Sequence, residues 1–326
     1  MSGDAPVDGR AAENLAGPSA GPSAGPSEGT LSVRAAVQGA ARLLAEAGVP
    51  SPRPDAAALA AHVLGVDHVL LAPDEAPPGF AARYAGLVER RARREPLQHL
   101  VGRTGFRRVV LLVEPGVFVP RPETETVAEP AVAEARRVAA SGRPPLVVDL
   151  CCGAGPLAVS LAVEVPGARV VAVDASPAAV DLTARNAAAQ GVTVEALVGD
   201  VRERALLAEL DGMVDVLVSN PPYIPPDAEP VDPEVRDHDP ALALWGGGMD
   251  GLDVPRAVLA AGARLLAPGG LLVVEHAEVQ DTALRAAAAA EGFMDVATLP
   301  DLTGRPRTLV ARRPRGARAR VTDSAP

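Results

Sequence analysis

Residues 218–226 read Val-Ser-Asn-Pro-Pro-Tyr-Ile-Pro-Pro, directly after the apolar run Val214-Asp-Val-Leu-Val218. The run has the character of a buried strand, and consecutive prolines remove backbone donors and end the sheet ladder. The strand therefore gives way to a stiff loop carrying a side-chain amide (Asn220), a carbonyl of fixed direction (Pro221), a second proline (Pro222) and a ring (Tyr223). These groups suit a substrate with a planar NH2. The Asn220 amide oxygen and the Pro221 carbonyl can each accept one of its N–H bonds, and Tyr223 can stack on its plane. An amide nitrogen is a poor nucleophile because its lone pair is delocalised. Held this way, the lone pair can be turned toward an electrophilic methyl group. Positioning and preorganised dipoles carry such a step, no general base is needed before attack, and the spare proton leaves afterwards.

The upstream strand ends offer a site for the donor. Asp149-Leu-Cys-Cys-Gly-Ala-Gly155 closes an apolar strand, with Gly153 and Gly155 permitting a tight turn close to a ligand and Pro156 suited to the first turn of a helix. Asp174 ends the next strand about 20 residues beyond the glycines, the spacing at which an acid grips the two hydroxyls of a ribose. Ser176 before Pro177 is a good helix start, so Asp174 also fits an N-cap region, and the two roles are compatible. Asp200 ends the third strand and could accept from an adenine amino group. Gly153-x-Gly155-x-x-Ala158 formally fits the dinucleotide fingerprint, which would suit a nicotinamide enzyme. The Asn-Pro-Pro-Tyr run decides for methyl transfer.

The elements that must position these groups alternate. Strands are expected at 145–150, 169–174, 193–200, 214–220 and 269–276, with helices at about 156–164, 177–190 and 254–266 and a terminal strand pair over 292–313. Alternation of this kind gives a doubly wound parallel sheet covered on both faces, with ligands at the carboxyl ends of the strands. Residues 31 to about 100 are helical in pattern, with Val33, Val37, Ala41, Leu44 and Ala45 on one face of the first helix. Residues 106–120 read as a β-hairpin with Glu114-Pro-Gly116 at its turn.

Composition bounds the class. The chain has 326 residues, a net charge of −10 and no lysine, so it is not built as a general nucleic-acid binder. Cys151 and Cys152 are adjacent, match no disulfide framework or zinc spacing, and read as two small buried side chains. No metal is expected. No run reaches membrane-spanning length and the N-terminal residues lack a basic start followed by an apolar core, so a cytoplasmic protein is expected. Residues 1–30, rich in Gly, Pro, Ser and Ala, cannot bury a core and read as a disordered tail.

The order of these blocks resembles the S-adenosylmethionine-dependent amino-methyltransferases, and more narrowly the protein-glutamine N5-methyltransferases that modify the GGQ glutamine of class 1 peptide chain release factors. The resemblance runs from about 31 to 312 and includes 95–106, 116–125, 219–225, 239–258, 267–280 and 301–307. It implies a seven-stranded Rossmann-like α/β sheet, a small N-terminal helical domain over 31–103 for substrate recognition, and a methyltransferase domain with the hairpin over 104–314. A frayed tail is expected over 315–326. It also implies S-adenosyl-L-methionine as cofactor, a release factor as protein partner without direct nucleic-acid or membrane contact, and a monomer. Carried over by motif, Cys151, Cys152, Gly153, Ala154 and Gly155 form the loop at the methionine part of the cofactor. Asp174 is the ribose acid, and Asp200 and Val201 flank the adenine. Asn220, Pro221, Pro222 and Tyr223 clamp the glutamine, with Asn220 also near the cofactor. Phe118 and the Pro120-Arg-Pro-Glu-Thr-Glu125 run lie close to both. The plainer readings there are a packed hairpin Phe118 and an Arg121–Glu123 ion pair. Glu275 and Gln280 match a family block without an assigned role, and His99, His276 and Trp245 read as structural. The chain departs from the pattern at Cys151, where the family has Gly, which adds a Cβ beside the ligand.

Two other readings use the same residues. Adenine-N6 methylation of nucleic acid employs the same clamp, but asks for a target-recognition domain and a basic cleft. A cofactor-binding regulator without turnover would account for Cys151, but would leave the Asn-Pro-Pro-Tyr run without a purpose.

Overall fold

A computed structural model describes residues 31–230 and 232–315 of the chain. Apart from Arg315, the tails expected over 1–30 and 315–326 lie outside the described residues. The described residues begin with four helices, α1 (Val33–Glu46), α2 (Pro52–Leu64), α3 (Phe80–Ala92) and α4 (Leu97–Val101). Ser32 caps α1 by accepting from the Ala35 N–H. Val33, Ala40 and Leu44 are the buried positions of α1, with Val37 and Ala41 partly buried, and they join Leu59, Phe80, Tyr84 and Val88 in one core. Ala45, expected on that face, is exposed; Ala40, four residues before Leu44, takes the inward position instead.

The hairpin pairs β1 (Arg103–Phe106) with β2 (Val109–Leu112), so its turn is Arg107-Arg108 and not Glu114-Pro-Gly116. Arg107 sits at φ 49°, a conformation an arginine enters at a cost. Carboxylates offset it: Glu164 takes Nε at 2.5 Å and Nη2 at 3.0 Å, Glu129 takes Nη1 at 2.9 Å, and Glu125 accepts the backbone N–H at 3.0 Å. The Glu-Pro-Gly segment instead redirects the chain after β2 toward the sheet.

After α5 (Glu125–Ala139) strands and helices alternate: β3 (Leu146–Leu150), α6 (Pro156–Glu164), β4 (Arg169–Asp174), α7 (Pro177–Ala189), β5 (Glu195–Val198) and β6 (Val214–Ser219). Two short helices, α8 (Pro233–His238) and α9 (Ala241–Leu244), precede α10 (Asp253–Leu265), β7 (Leu266–Glu275), α11 (Asp281–Ala290), β8 (Met294–Pro300) and β9 (Pro306–Arg312). The seven strands lie in the order β5-β4-β3-β6-β7-β9-β8. The first five in that row are parallel, and β9 and β8 add antiparallel pairs at one edge. One face packs under α5, α6 and the hairpin through Val127, Val132, Leu157 and Leu161; the other packs under α10 and α11 through Val258, Leu259 and Leu284. The fold is the α/β class expected. The strand expected over 193–200 is reduced to four residues at the sheet edge, where Glu195 and Val198 are exposed.

Chain order reverses between β3 and β6, which makes their carboxyl ends the switch point where open α/β sheets bind ligands. Their last registered pair is Leu150–Ser219, reinforced by the Ser219 hydroxyl donating to the Leu150 carbonyl at 2.6 Å. Cys151 and Asn220 therefore leave the sheet side by side.

Candidate active site

The loop after β3 turns sharply because Cys151, Gly153 and Gly155 all take positive φ, at 62°, 56° and 81°. Asp174, at the end of β4, holds it in place. One carboxylate oxygen accepts the Gly153 N–H at 2.9 Å and the other accepts the Ser176 N–H at 2.8 Å. Burial raises the Asp174 carboxyl, and these backbone donors oppose the rise. Ser176 caps α7, so the capping and loop-pinning roles coexist. Thr183 on α7 donates to the Gly153 carbonyl at 2.9 Å. A Cβ on Gly155 would lie 2.9 Å from the Thr183 hydroxyl, whereas one on Gly153 would meet nothing within 4 Å. Gly155 thus serves helix packing, and Gly153 presents bare backbone to open space. Asn186 of α7 ties this loop to the hairpin, donating to Ala154 at 2.8 Å and accepting from Leu112 at 2.7 Å. Val117 packs on Ala154, Ala179 and Leu182 from below.

The run after β6 is held from behind. Asn220 Nδ2 donates to Thr124 Oγ1 at 3.1 Å, and Thr124 donates to Glu275 Oε2 at 2.7 Å. Tyr223 donates its phenol to Glu275 Oε1 at 3.3 Å. Glu275 is 3% exposed. Burial raises its carboxyl to about 7, against the pull of the Thr124 hydrogen bond and the Arg307 charge. Among the described residues nothing donates to the Asn220 amide oxygen or to the Pro221 carbonyl. Gln280 fixes the loop's backbone, donating to the Tyr223 and Asp250 carbonyls at 2.8 Å each. Two glycines of Trp245-Gly-Gly-Gly-Met-Asp-Gly251, Gly246 and Gly251, lie against the same backbone. A Cβ on Gly246 would fall 2.8 Å from the Pro222 oxygen, and one on Gly251 2.3 Å from the Tyr223 oxygen.

Both loops open onto one cavity of about 670 Å³. Phe118, Cys151, Cys152, Gly153, Ala154, Asp174, Asp200, Val201 and Asn220 to Tyr223 line it, so of the expected site residues only Gly155 stands outside it. Cys152 is buried as expected, but Cys151 forms part of the cavity wall; burial and the nearby Asp174 and Asp149 carboxylates push its thiol up and keep it neutral. Asp200 is forked by Arg202, which holds its carboxyl below the usual range. Arg121 stacks 5.1 Å from the centre of the Phe118 ring and pairs with Asp239, not with Glu123. Asp239 is buried and brought there by α8, and so outcompetes the nearer neighbour in sequence. Trp245, expected to be structural, also lines the mouth at 37% exposure. Arg121 and Thr124, from the run expected close to cofactor and substrate, line the cavity, as does Arg307, which was not singled out, and Glu275 and Gln280 gain contacts that define their places.

The cradle fits a nucleoside-bearing methyl donor: an acid at the end of β4, bare backbone at Gly153 and small side chains between them. The family model described as "PrmC N-terminal domain" matches residues 35–102, and the "Methyltransferase small domain" model matches 136–231. A release factor glutamine methyltransferase of Mycolicibacterium smegmatis is 50% identical over 283 residues, spanning 86% of this chain and 98% of the relative. One from Streptomyces coelicolor is 49% identical over 285 residues, spanning 86% and 97%. A solved structure titled as a release factor-specific protein-(glutamine-N5) methyltransferase, from Alicyclobacillus acidocaldarius, is 29% identical, covers 60% of this chain and 94% of its own, and has a TM-score of 0.38.

Proposed function

The chain belongs to the family of release factor glutamine methyltransferases, and from that premise we propose how its cavity joins S-adenosylmethionine to the GGQ glutamine of a class 1 peptide chain release factor. The product is a glutamine methylated on its side-chain nitrogen. When bound, S-adenosylmethionine supplies a methyl group made electrophilic by a positively charged sulfur. Cys151 to Gly155 would hold its methionine part, Asp174 its ribose hydroxyls, and Asp200 with Val201 its adenine. For Asp200 this requires Arg202 to share the carboxylate or swing away.

The protein's own contribution to the chemistry is positional. The Asn220 amide oxygen and the Pro221 carbonyl accept the two N–H bonds of the glutamine amide. Tyr223 and Phe118 confine its plane, and Pro221 and Pro222 keep the two acceptors from drifting. The acceptors also stabilise the positive charge that builds on nitrogen as the new bond forms. No side chain needs to remove a proton first. The helical segment 31–103 would present a docking face to the release factor, joined to the site by Glu234 on α8. We infer a cytoplasmic monomer; no helix among the described residues is long and apolar enough to cross a membrane.

One observation carries this reading. Asn220 is tied back through its nitrogen, and among the described residues neither its oxygen nor the Pro221 carbonyl takes a donor. The test is transfer of labelled methyl from S-adenosylmethionine to purified release factor, with Asn220→Ala enzyme and a release factor lacking the GGQ glutamine run beside it. Label in the wild-type pair and loss in both controls is the expected result. Label that persists on the altered release factor would redirect the search to another glutamine of that protein, and no label on either would redirect it to other proteins or to nucleic acid.

A further inference from the structure

We infer that Glu275 is a positioning residue that decides which end of the Asn220 amide faces the cavity, an inference that rests on the methyl transfer proposed above. An amide has an acceptor end and a donor end of nearly the same shape, so packing alone does not choose between them. The choice is made by counting hydrogens. Thr124 has one hydroxyl hydrogen. Glu275 Oε2 lies 2.7 Å from Thr124 Oγ1 and, as a carboxylate, can only accept. The hydrogen is thus spent on Glu275, and the Thr124 oxygen can only accept in turn. Only the Nδ2 end of Asn220 can face it, which is the 3.1 Å contact found, and Oδ1 is left for the cavity.

Reversing the first link reverses the last. A carboxyl protonated at Oε2, or a glutamine amide with its Nε2 end placed there, would donate to Thr124. Thr124 would then donate to Asn220 Oδ1, and Asn220 would present NH2 to a substrate NH2. Donor would face donor, and the clamp would repel the group it has to hold.

Two further features fit a selector better than a packing residue. The second oxygen of Glu275 takes the Tyr223 phenol at 3.3 Å, so one carboxylate sets two walls of the clamp. A carboxylate buried to 3% exposure is also a costly way to fill space. The charged and titratable groups facing it are Arg307 from β9, Tyr223 from the loop after β6 and Glu123 from the turn before α5. Arg307 favours the carboxylate and Glu123 opposes it.

The test compares full-length wild type with E275Q, which keeps size and shape, and E275D, which keeps the acceptor-only character. Methyl transfer to release factor is followed from pH 6 to 9, and affinity for S-adenosylhomocysteine is measured alongside. E275Q is expected to lose about 100-fold in kcat with affinity for the donor product little changed, and to lose the fall in rate that wild type shows on acidification. E275D is expected to recover part of the rate. E275Q with wild-type kcat and an unchanged acid limb would overturn the inference. A second readout does not depend on the release factor. The side-chain NH2 resonances of Asn220, identified by their absence in N220D, should shift in wild type as Glu275 titrates and stay fixed in E275Q. Resonances that do not respond in wild type would overturn the inference even with methyl transfer intact. Should wild type fail to label the release factor, the substrate reading falls and these resonances alone judge Glu275.

Discussion

Glu234, on α8 beyond the active-site run, lies with one carboxylate oxygen 2.8 Å from the guanidinium of Arg91 on α3. Its other oxygen takes Arg94 Nη2 at 2.6 Å, and Arg91 in turn holds Asp55 of α2 at 2.8 Å. The side chains of Arg91 and Glu234 are 6% and 12% exposed, so the link is largely desolvated. It runs from the helical segment to the loop that carries the site.

Replacing Glu234 by Gln should loosen that link. Burial pushes the Glu234 carboxyl up, but the hydrogen bonds from Arg94 and Arg91 outweigh it and hold it at about 2. A depressed carboxyl contributes stability above the unfolded value, near 4.5, and loses it as pH falls toward 2. Wild type should therefore lose on the order of 2 kcal/mol between about pH 5 and 2 that E234Q never had, once solvent screening is counted. Urea unfolding at a series of pH values checks this. At neutral pH, E234Q should also raise the KM for release factor more than that for the methyl donor. Equal changes would place the link outside substrate docking.

Glu275 has the opposite sign. Its carboxyl is raised to about 7 by burial. The neutral form is favoured by the fold, so stability is full below the unfolded value near 4.5 and declines as pH rises toward 7. Wild type at pH 8 should thus carry a penalty of about 3 kcal/mol that E275Q lacks. E275Q should unfold at higher urea than wild type at pH 8, with the two converging near pH 4.5, while catalysing more slowly. A variant both less stable and slower at pH 8 would make Glu275 a plain structural residue.

How much of this was legible in the sequence depends on how far apart the partners lie. The strand ends at Asp174 and Asn220 were readable because β-branched runs and Pro punctuation are local signals. The hairpin turn was not, because Glu114-Pro-Gly116 is the stronger local turn signal, while Arg107-Arg108 is stabilised by Glu164, Glu125 and Glu129 from elsewhere in the chain. Thr124 and Glu275 are 151 residues apart, and Arg121 and Asp239 are 118 apart. No periodicity reports such pairs. Asn220 and Tyr223 could be singled out from chemistry as candidates, but what orients them became visible only in the folded chain.

Gly246 and Gly251 should prove as necessary as the clamp they touch. An added Cβ on Gly246 would fall 1.9 Å from the Gly251 oxygen, and Gly251 combines its close approach to Tyr223 with a φ of 72°. Neither neighbour is a movable side chain, so the backbone of Pro222 and Tyr223 would have to shift. G246A and G251A should each lose about 100-fold in kcat, with a stability cost of about 2 kcal/mol. Gly167, at φ 85° with open space around its Cβ position and outside the cavity lining, is the control; G167A should cost about 1 kcal/mol and little rate. Methyl transfer and thermal unfolding of the three variants separate the two effects.

Cys151 tests whether the departure in the glycine-rich loop is tolerated or used. At φ 62° its Cβ costs about 1 kcal/mol, which Gly would relieve. Gly also gives the unfolded chain about 0.4–1 kcal/mol of extra entropy, so the two nearly cancel. C151G should unfold within a few degrees of wild type and bind S-adenosylhomocysteine within about threefold, because the loop is pinned by Asp174 and Thr183 and not by the thiol. C151V, β-branched at the same φ, should lose about 2 kcal/mol and most of the donor affinity. The thiol, pushed up by burial and by Asp174 and Asp149, should also resist alkylation in the folded protein at pH 8. Rapid alkylation would mean that the thiol ionises within the cavity wall, and donor binding weakened about tenfold in C151G would mean that the thiol itself contacts the donor, so that this chain has replaced a bare backbone contact with a side-chain one.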